Sequence, residues 1–213
     1  MVQTCEKLKQ DLKKLEPIEF YMKYIIKSYN WYFEEVLERE EQELINITDD
    51  FKEIIMKNFN VGFHSVQMVG SAKIGFSLSP RKSFREFIRF DSNSEDYDDK
   101  HDKVSDLDLA IISPRLFEEI WAAIRTANKV QRLPTRKYNS ITNAIFNGYI
   151  NDSSLEYVTG GLHLVKDTIN SANVELRDTF SIPNPISYRI YRSWEDLENY
   201  QLIGIESARR NLL

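Results

Sequence analysis

Nine residues, Val104-Ser105-Asp106-Leu107-Asp108-Leu109-Ala110-Ile111-Ile112, constrain the fold more than any other stretch of this chain. The run is short and apolar apart from a serine and two carboxylates, and its aliphatic, β-branched content favours a strand over a helix. A strand alternates its side chains, so Asp106 and Asp108 share one face while Leu107, Leu109 and Ile111 share the other. The continuous apolar character reads as a buried strand. Two like charges that close repel each other, and a buried fold keeps such a pair when something positive sits between them. Hard oxygen ligands suit Mg²⁺, or Mn²⁺, with water and substrate phosphate completing the shell. The alternative is an edge strand carrying two solvated acids.

A second strand-like run, His64-Ser65-Val66-Gln67-Met68-Val69, leads directly into Gly70-Ser71. Gly70 can adopt a backbone conformation that admits a ligand close to the chain. Ser71 offers a hydroxyl and, with Ala72, backbone N–H groups that would cradle phosphate if a turn or helix starts there. Lys73 stands near enough to add a charge, or is simply solvated. A strand, Gly-Ser, and then a later strand with Asp-x-Asp resembles the nucleotidyltransferase superfamily typified by DNA polymerase beta. The resemblance spans residues 66–113, and elsewhere extends only to the order of elements. It implies that Asp106 and Asp108 hold Mg²⁺ or Mn²⁺ on the phosphates of a nucleoside triphosphate. It also implies that Gly70 and Ser71 bind the outer phosphates. The acceptor would be an RNA, such as a tRNA end, a protein hydroxyl or a small molecule.

Two departures accompany the resemblance. Between Ser71 and Asp106 lie 34 residues, so a segment is inserted where the family usually has a short connection. The family also draws a third carboxylate from a later strand, and the matching strand here, Ile186-Ser187-Tyr188-Arg189-Ile190-Tyr191, has no acid. Arg189 stands where that acid is expected, either paired with Asp106 or Asp108 or contacting a phosphate. Glu156 and Glu175 are the substitute acids.

The insertion opens on Ser79-Pro80, a good helix start. A helix over 81–90 would align Arg81, Arg85 and Arg89 at four-residue steps, with Lys82 beside them. Such a stripe is either a solvated face or a grip on triphosphate or RNA backbone, since guanidinium forks match phosphate oxygens. The charge then reverses through Asp91, Glu95, Asp96, Asp98, Asp99 and Asp102, which reads as an acidic loop.

The remaining pattern predicts helices. Pro17 divides a lysine-rich first helix from a second with Tyr21, Ile25, Tyr29, Tyr32 and Val36 in a stripe that reads as core packing. Thr48 is the expected N-cap of a third helix bearing Phe51, Ile54, Ile55 and Phe59. Ser113-Pro114 starts a helix with Leu116, Phe117, Ile120 and Ile124 inward. Helices follow over Tyr138–Ile150, after Gly160-Gly161, and after a Ser193 cap. The expected fold is α+β: a small mixed-sheet nucleotidyltransferase core with N-terminal and inserted helices. Residues 1–60 form a helical segment packed on it, and residues 61–213 form the core with a basic helix and acidic loop inserted at 79–104.

A 42% hydrophobic and 12% aromatic content suffices for one core with embellishment. The single cysteine, Cys5, allows no internal disulfide and fits a reducing cytoplasm. The start has no apolar leader pattern, and no run is long enough to span a bilayer. A net charge of −5 excludes wholesale coating of nucleic acid while leaving room for local basic surface. His64, His101 and His163 lack zinc-site spacing. Compact size and the absence of a recognisable RNA-binding domain resemble bacterial toxin and phage-defence nucleotidyltransferases. The competing expectation, from the missing acid, is a catalytically impaired member that binds nucleotide or a partner protein as an antitoxin-like or sensing subunit. A metal-dependent nuclease is third, because it leaves Gly70-Ser71 without a purpose.

Overall fold

The computed structural model describes residues 4–27, 29–90, 104–157 and 163–212. The acidic half of the insertion, His101 and Gly160-Gly161 lie outside those residues. The chain folds into a mixed α+β architecture around one four-stranded sheet of order β1-β2-β4-β3. The strands are β1 (Val66–Val69), β2 (Leu107–Ile112), β3 (Tyr149–Asn151) and β4 (Ile186–Tyr191). β1 runs antiparallel to β2, β2 parallel to β4, and β3 antiparallel to β4.

Alternation along β2 sorts the molecule into two packed layers. Leu107, Leu109 and Ile111 join Met68, Tyr188 and Ile190 on the back face. Against them lie α3 (Leu44–Phe59), α5 (Pro114–Val130) and α7 (His163–Phe180). Ala110 and Ile112 join Val69 and Tyr191 on the front face. Leu8 and Leu12 of α1 (Cys5–Lys14), Phe20 and Tyr21 of α2 (Pro17–Tyr21), and Leu197 and Ile205 of α8 (Trp194–Arg210) cover it. Both β2 residues and their helical partners are removed from water, which supplies the main stabilising free energy.

Local signals hold at several ends. Ser113 accepts a hydrogen bond from the Leu116 amide at the start of α5, and Ser193 does the same for Asp196 at the start of α8. The expected second helix differs. It is α2 followed by a π-helical turn, Met22–Ile26, and after an extended break a second such turn, Tyr32–Val36. The Asn30 side chain accepts from the Tyr32 amide, offering the backbone a local alternative to the helical ladder. Tyr21, Tyr24, Ile25 and Tyr32 are nonetheless buried, so this aromatic stretch is core.

Three further elements correct the sequence reading. α3 starts at Leu44, so Thr48 lies inside it and its hydroxyl donates to the Leu44 carbonyl at 2.6 Å. Phe63–Ser65 is a 3₁₀ turn, and β1 begins only at Val66. The helix expected over Tyr138–Ile150 is α6 (Thr135–Phe146), followed by the edge strand β3. Gly148 ends the helix at φ +75°, on a path where an added Cβ would lie 2.1 Å from Asp196 Cγ.

The basic helix is absent. Residues 75–87 form a hairpin-like loop, with Phe76 bridging Glu86, the Ser77 amide donating to the Arg85 carbonyl, and the Phe87 amide donating to the Gly75 carbonyl. Its tip is a 3₁₀ turn, Pro80–Lys82, and left-handed Ser83 and Phe84 prevent helical continuation. Phe87 anchors the returning arm under Trp31 and Tyr32, with ring centroids 5.7 and 5.5 Å away. Fully buried Asn184 ties Ile88, within the insertion, to Ser105, just after it, donating to the two carbonyls at 3.1 and 2.9 Å.

Candidate active site

The antiparallel register of β1 and β2 sets Val69 beside Asp108, so the turn after β1 begins at that carboxylate. Gly70 makes the approach feasible. It holds φ +68°, and a Cβ there would lie 2.5 Å from Asp108 Oδ2. The parallel register sets Ser187 on the other side of Asp108, and the Ser187 hydroxyl donates to Asp108 Oδ1 at 3.0 Å. Asp106 immediately precedes β2 and is exposed. Its carboxyl is raised above the ordinary range, first by protein that displaces water around it and then by Asp108, while Lys82 acts in the opposite direction. Asp106 and Asp108 therefore form a mutually repelling pair beside Gly70.

A cavity of about 540 Å³ opens on this end of the front face. Its lining includes Gly70, Ser71, Lys82 and Asp108 together with Tyr149, Arg189, Tyr200 and Gln201. Its size is that of a small-ligand site. α4 (Gly70–Ile74) is a single five-residue turn, too short for a macrodipole argument. Its contribution is the Gly70 backbone and the Ser71 side of the cavity. No family model, curated protein or solved structure matches the chain. The residues themselves must carry the assignment.

Of the site residues expected from sequence, Gly70, Ser71, Asp108 and Arg189 line this cavity together, with Asp106 interacting with Asp108 beside it. Arg189 is aligned with Ala110, two positions beyond Asp108, and Ser187 is the β4 residue aligned with Asp108. The Arg189 Nε donates to Asn151 Oδ1 at 3.0 Å, and no ion pair ties it to Asp106 or Asp108 among the described residues.

Lys73 lies elsewhere. It is 4% exposed, not solvated, and its ammonium donates to the Lys27 carbonyl at 2.7 Å. It borders a separate cavity of about 30 Å³ with Lys52, Gln67 and Met68. Burial, then the Lys52 charge, pulls its ammonium down to about 7. The arginine stripe dissolves with its helix. Arg81 is exposed at the loop tip, while Arg85 is half-buried with Nε unpartnered among the described residues. Arg89 donates to the Glu35 carbonyl. Lys82 is the cation of this segment that reaches the cavity.

Neither substitute acid joins the pair. Glu156 is exposed, and Glu175 accepts from Asn58 on the α3–α7 side. The acid that does communicate with both aspartates is Asp152, immediately after β3. Its carboxylate accepts the Tyr188 amide at 2.9 Å and the Ser153 amide at 2.6 Å. Burial raises it, those amides lower it, and Asp108 raises it. Recognising β3 as a strand would have brought Asp152 forward. Among the described residues, no three His, Cys, Asp or Glu side chains converge closely enough to hold a metal.

Proposed function

We propose that the protein is a metal-dependent nucleotidyltransferase that moves a nucleoside monophosphate from a nucleoside triphosphate to an acceptor hydroxyl. The observation that carries this reading is the contact of the Gly70-Ser71 turn with Asp108. A missing Cβ lets a phosphate-compatible turn and a carboxylate meet in the lining of a ligand-sized cavity.

The donor set fits a hard divalent cation. Asp106 and Asp108 supply carboxylate oxygens, and their mutual repulsion is what a cation would relieve. When bound there, Mg²⁺ or Mn²⁺ would neutralise charge on the phosphates and favour displacement at phosphorus. The chain's own groups do the positioning. Ser71 and the Gly70 backbone receive the outer phosphates, and Lys82 offers a positive charge in the cavity lining. Ser187 holds the Asp108 carboxylate in one orientation. The acceptor oxygen forms a bond to the α-phosphorus, the bridge to the β-phosphate breaks, pyrophosphate departs with the electron pair, and the hydroxyl proton leaves to water.

The acceptor classes that fit are an RNA end such as tRNA, a protein hydroxyl or a small molecule, in a cytoplasmic setting of the toxin or phage-defence kind. A second reading is supported by β4, which sets Ser187 rather than an acid beside Asp108. On that reading the chain binds nucleotide or a partner protein without turnover. Incubation with each α-labelled NTP, Mg²⁺ or Mn²⁺, cellular RNA and lysate separates them. Label transfer that disappears in Asp106→Ala and Asp108→Ala supports the transferase. NTP binding without transfer supports the impaired form, and RNA shortening without incorporation rejects both.

No helix among the described residues is long and apolar enough to cross a membrane.

A further inference from the structure

One part of the cavity wall is built around Arg189. Its guanidinium carbon lies 5.0 Å from the Tyr149 ring and 4.7 Å from the Tyr200 ring, and those ring centroids are 5.0 Å apart. Three nearly equal separations form a triangle, so both rings lie to the same side of the guanidinium. Rings on opposite faces would stand much farther from each other. Tyr191 extends the aromatic bed, 5.7 Å from Tyr149 and 6.1 Å from Tyr200, with its hydroxyl 3.5 Å from Arg189 Nη1. Asn151 holds Nε. Two adjacent rings and Asn151 thus hold the guanidinium, which still lines the cavity.

Asn143 and Gln201 line the same cavity. No hydrogen bond engages either side-chain amide among the described residues. A carboxamide offers one acceptor and two donors, the complement of a purine edge. Among the described residues, Asp108 is the one acidic side chain that lines the cavity.

Resting on the nucleotidyltransferase reading, we propose that this part of the cavity is a nucleobase subsite that takes a purine, stacked on the open side of the Arg189 guanidinium with the Asn143 and Gln201 amides at its edge. A planar cation backed by tyrosines presents a flat, polarisable surface, and bases stack well on such guanidinium planes. A two-ring base overlaps that surface more fully than a pyrimidine. The carboxamides favour adenine, whose N6 and N7 match one amide group. The subsite would select among triphosphates, whereas the Gly70-Ser71 end would bind any of them.

Calorimetric titration of the full-length chain with ATP, CTP and inorganic tripolyphosphate, all with Mg²⁺, tests the subsite separately from the phosphate end. The expected result is ATP binding about five- to 150-fold tighter than tripolyphosphate, as one base stack of about 1–3 kcal/mol would give, with CTP intermediate. Arg189→Met should remove the preference, so that ATP binds that variant no more tightly than tripolyphosphate does. Gln201→Ala keeps the test open if Arg189→Met fails to fold, and should narrow the gap between ATP and CTP. Tripolyphosphate binding as tightly as ATP in the native chain, or an unchanged ATP preference in the folded variants, overturns the subsite alone. Binding of neither ligand overturns the nucleotide reading, and the subsite with it.

Discussion

The two faces of the central sheet are made from alternate residues of the same strands and do different work. On the back face, Leu107, Leu109 and Ile111 meet Tyr188 and Ile190 in an apolar layer. On the front face, Ala110, Ile112 and Tyr191 are equally buried at one end, but Asp108, Ser187 and Arg189 occupy the other, beside Gly70. One residue of phase along β2 separates a side chain of the apolar layer from one that lines the cavity. The lesson is that the polar end is tolerated because the rest of the sheet is so completely buried.

Substitutions on neighbouring β2 residues should break the two faces differently. Asp108→Asn should reduce label transfer by at least about a thousandfold, near 4 kcal/mol of barrier, while the melting midpoint stays close to native. Transfer within tenfold of native would remove Asp108 from the chemistry. Leu109→Ala, one residue away, should lower unfolding free energy by about 3 kcal/mol in urea titrations while activity per folded molecule persists. An intact midpoint would mean that the back face is not the stabilising layer. Gly70→Ala touches both properties. The strained φ and the contact with Asp108 should cost about 2 kcal/mol of stability and depress nucleotide binding. Unchanged binding would show that the turn's approach to Asp108 is incidental.

The smallest effect concerns Lys73, which is buried beside the back layer rather than at the site. Its folded value near 7 lies below the ordinary lysine value of 10.5. Between those two values the unfolded chain binds the extra proton, so stability rises with pH. Below pH 7 the penalty for the buried charge is fully present. The difference in unfolding free energy between native protein and Lys73→Met should therefore shrink by roughly 1 kcal/mol per pH unit from pH 7 to 9. A difference that is flat across this window would contradict the buried placement of the ammonium.

How far the sequence carries depends on whether a local signal meets a tertiary one. β2, β4, α5 and α8 are legible because apolar phase and Ser caps agree with burial. The shared placement of Gly70, Ser71 and Asp108 is legible for a similar reason, since strand order brings them together. The arginine helix fails because four-residue spacing says nothing of Phe87, which is drawn under Trp31 and Tyr32 and pulls the segment back into a hairpin. β3 is hidden because three residues carry too little pattern to outweigh the preceding helix, and Asp152 is hidden with it. Lys73 misleads because a lysine beside a Gly-Ser turn reads as solvated, whereas its α4 neighbours Ala72 and Ile74 are also buried. Asn184 leaves no local trace at all, since its partners Ile88 and Ser105 lie 96 and 79 residues away.

The central claim is that Asp106 and Asp108 share a divalent cation with phosphates received by Gly70 and Ser71. A crystal grown with Mn²⁺ and a non-hydrolysable ATP analogue tests it most directly, because the anomalous signal of manganese locates the ion independently of the nucleotide. The account predicts an anomalous peak within bonding distance of both carboxylates, with analogue phosphate oxygens on the same ion and against Ser71. A manganese peak away from the aspartates, or an analogue seated outside this cavity, would contradict it.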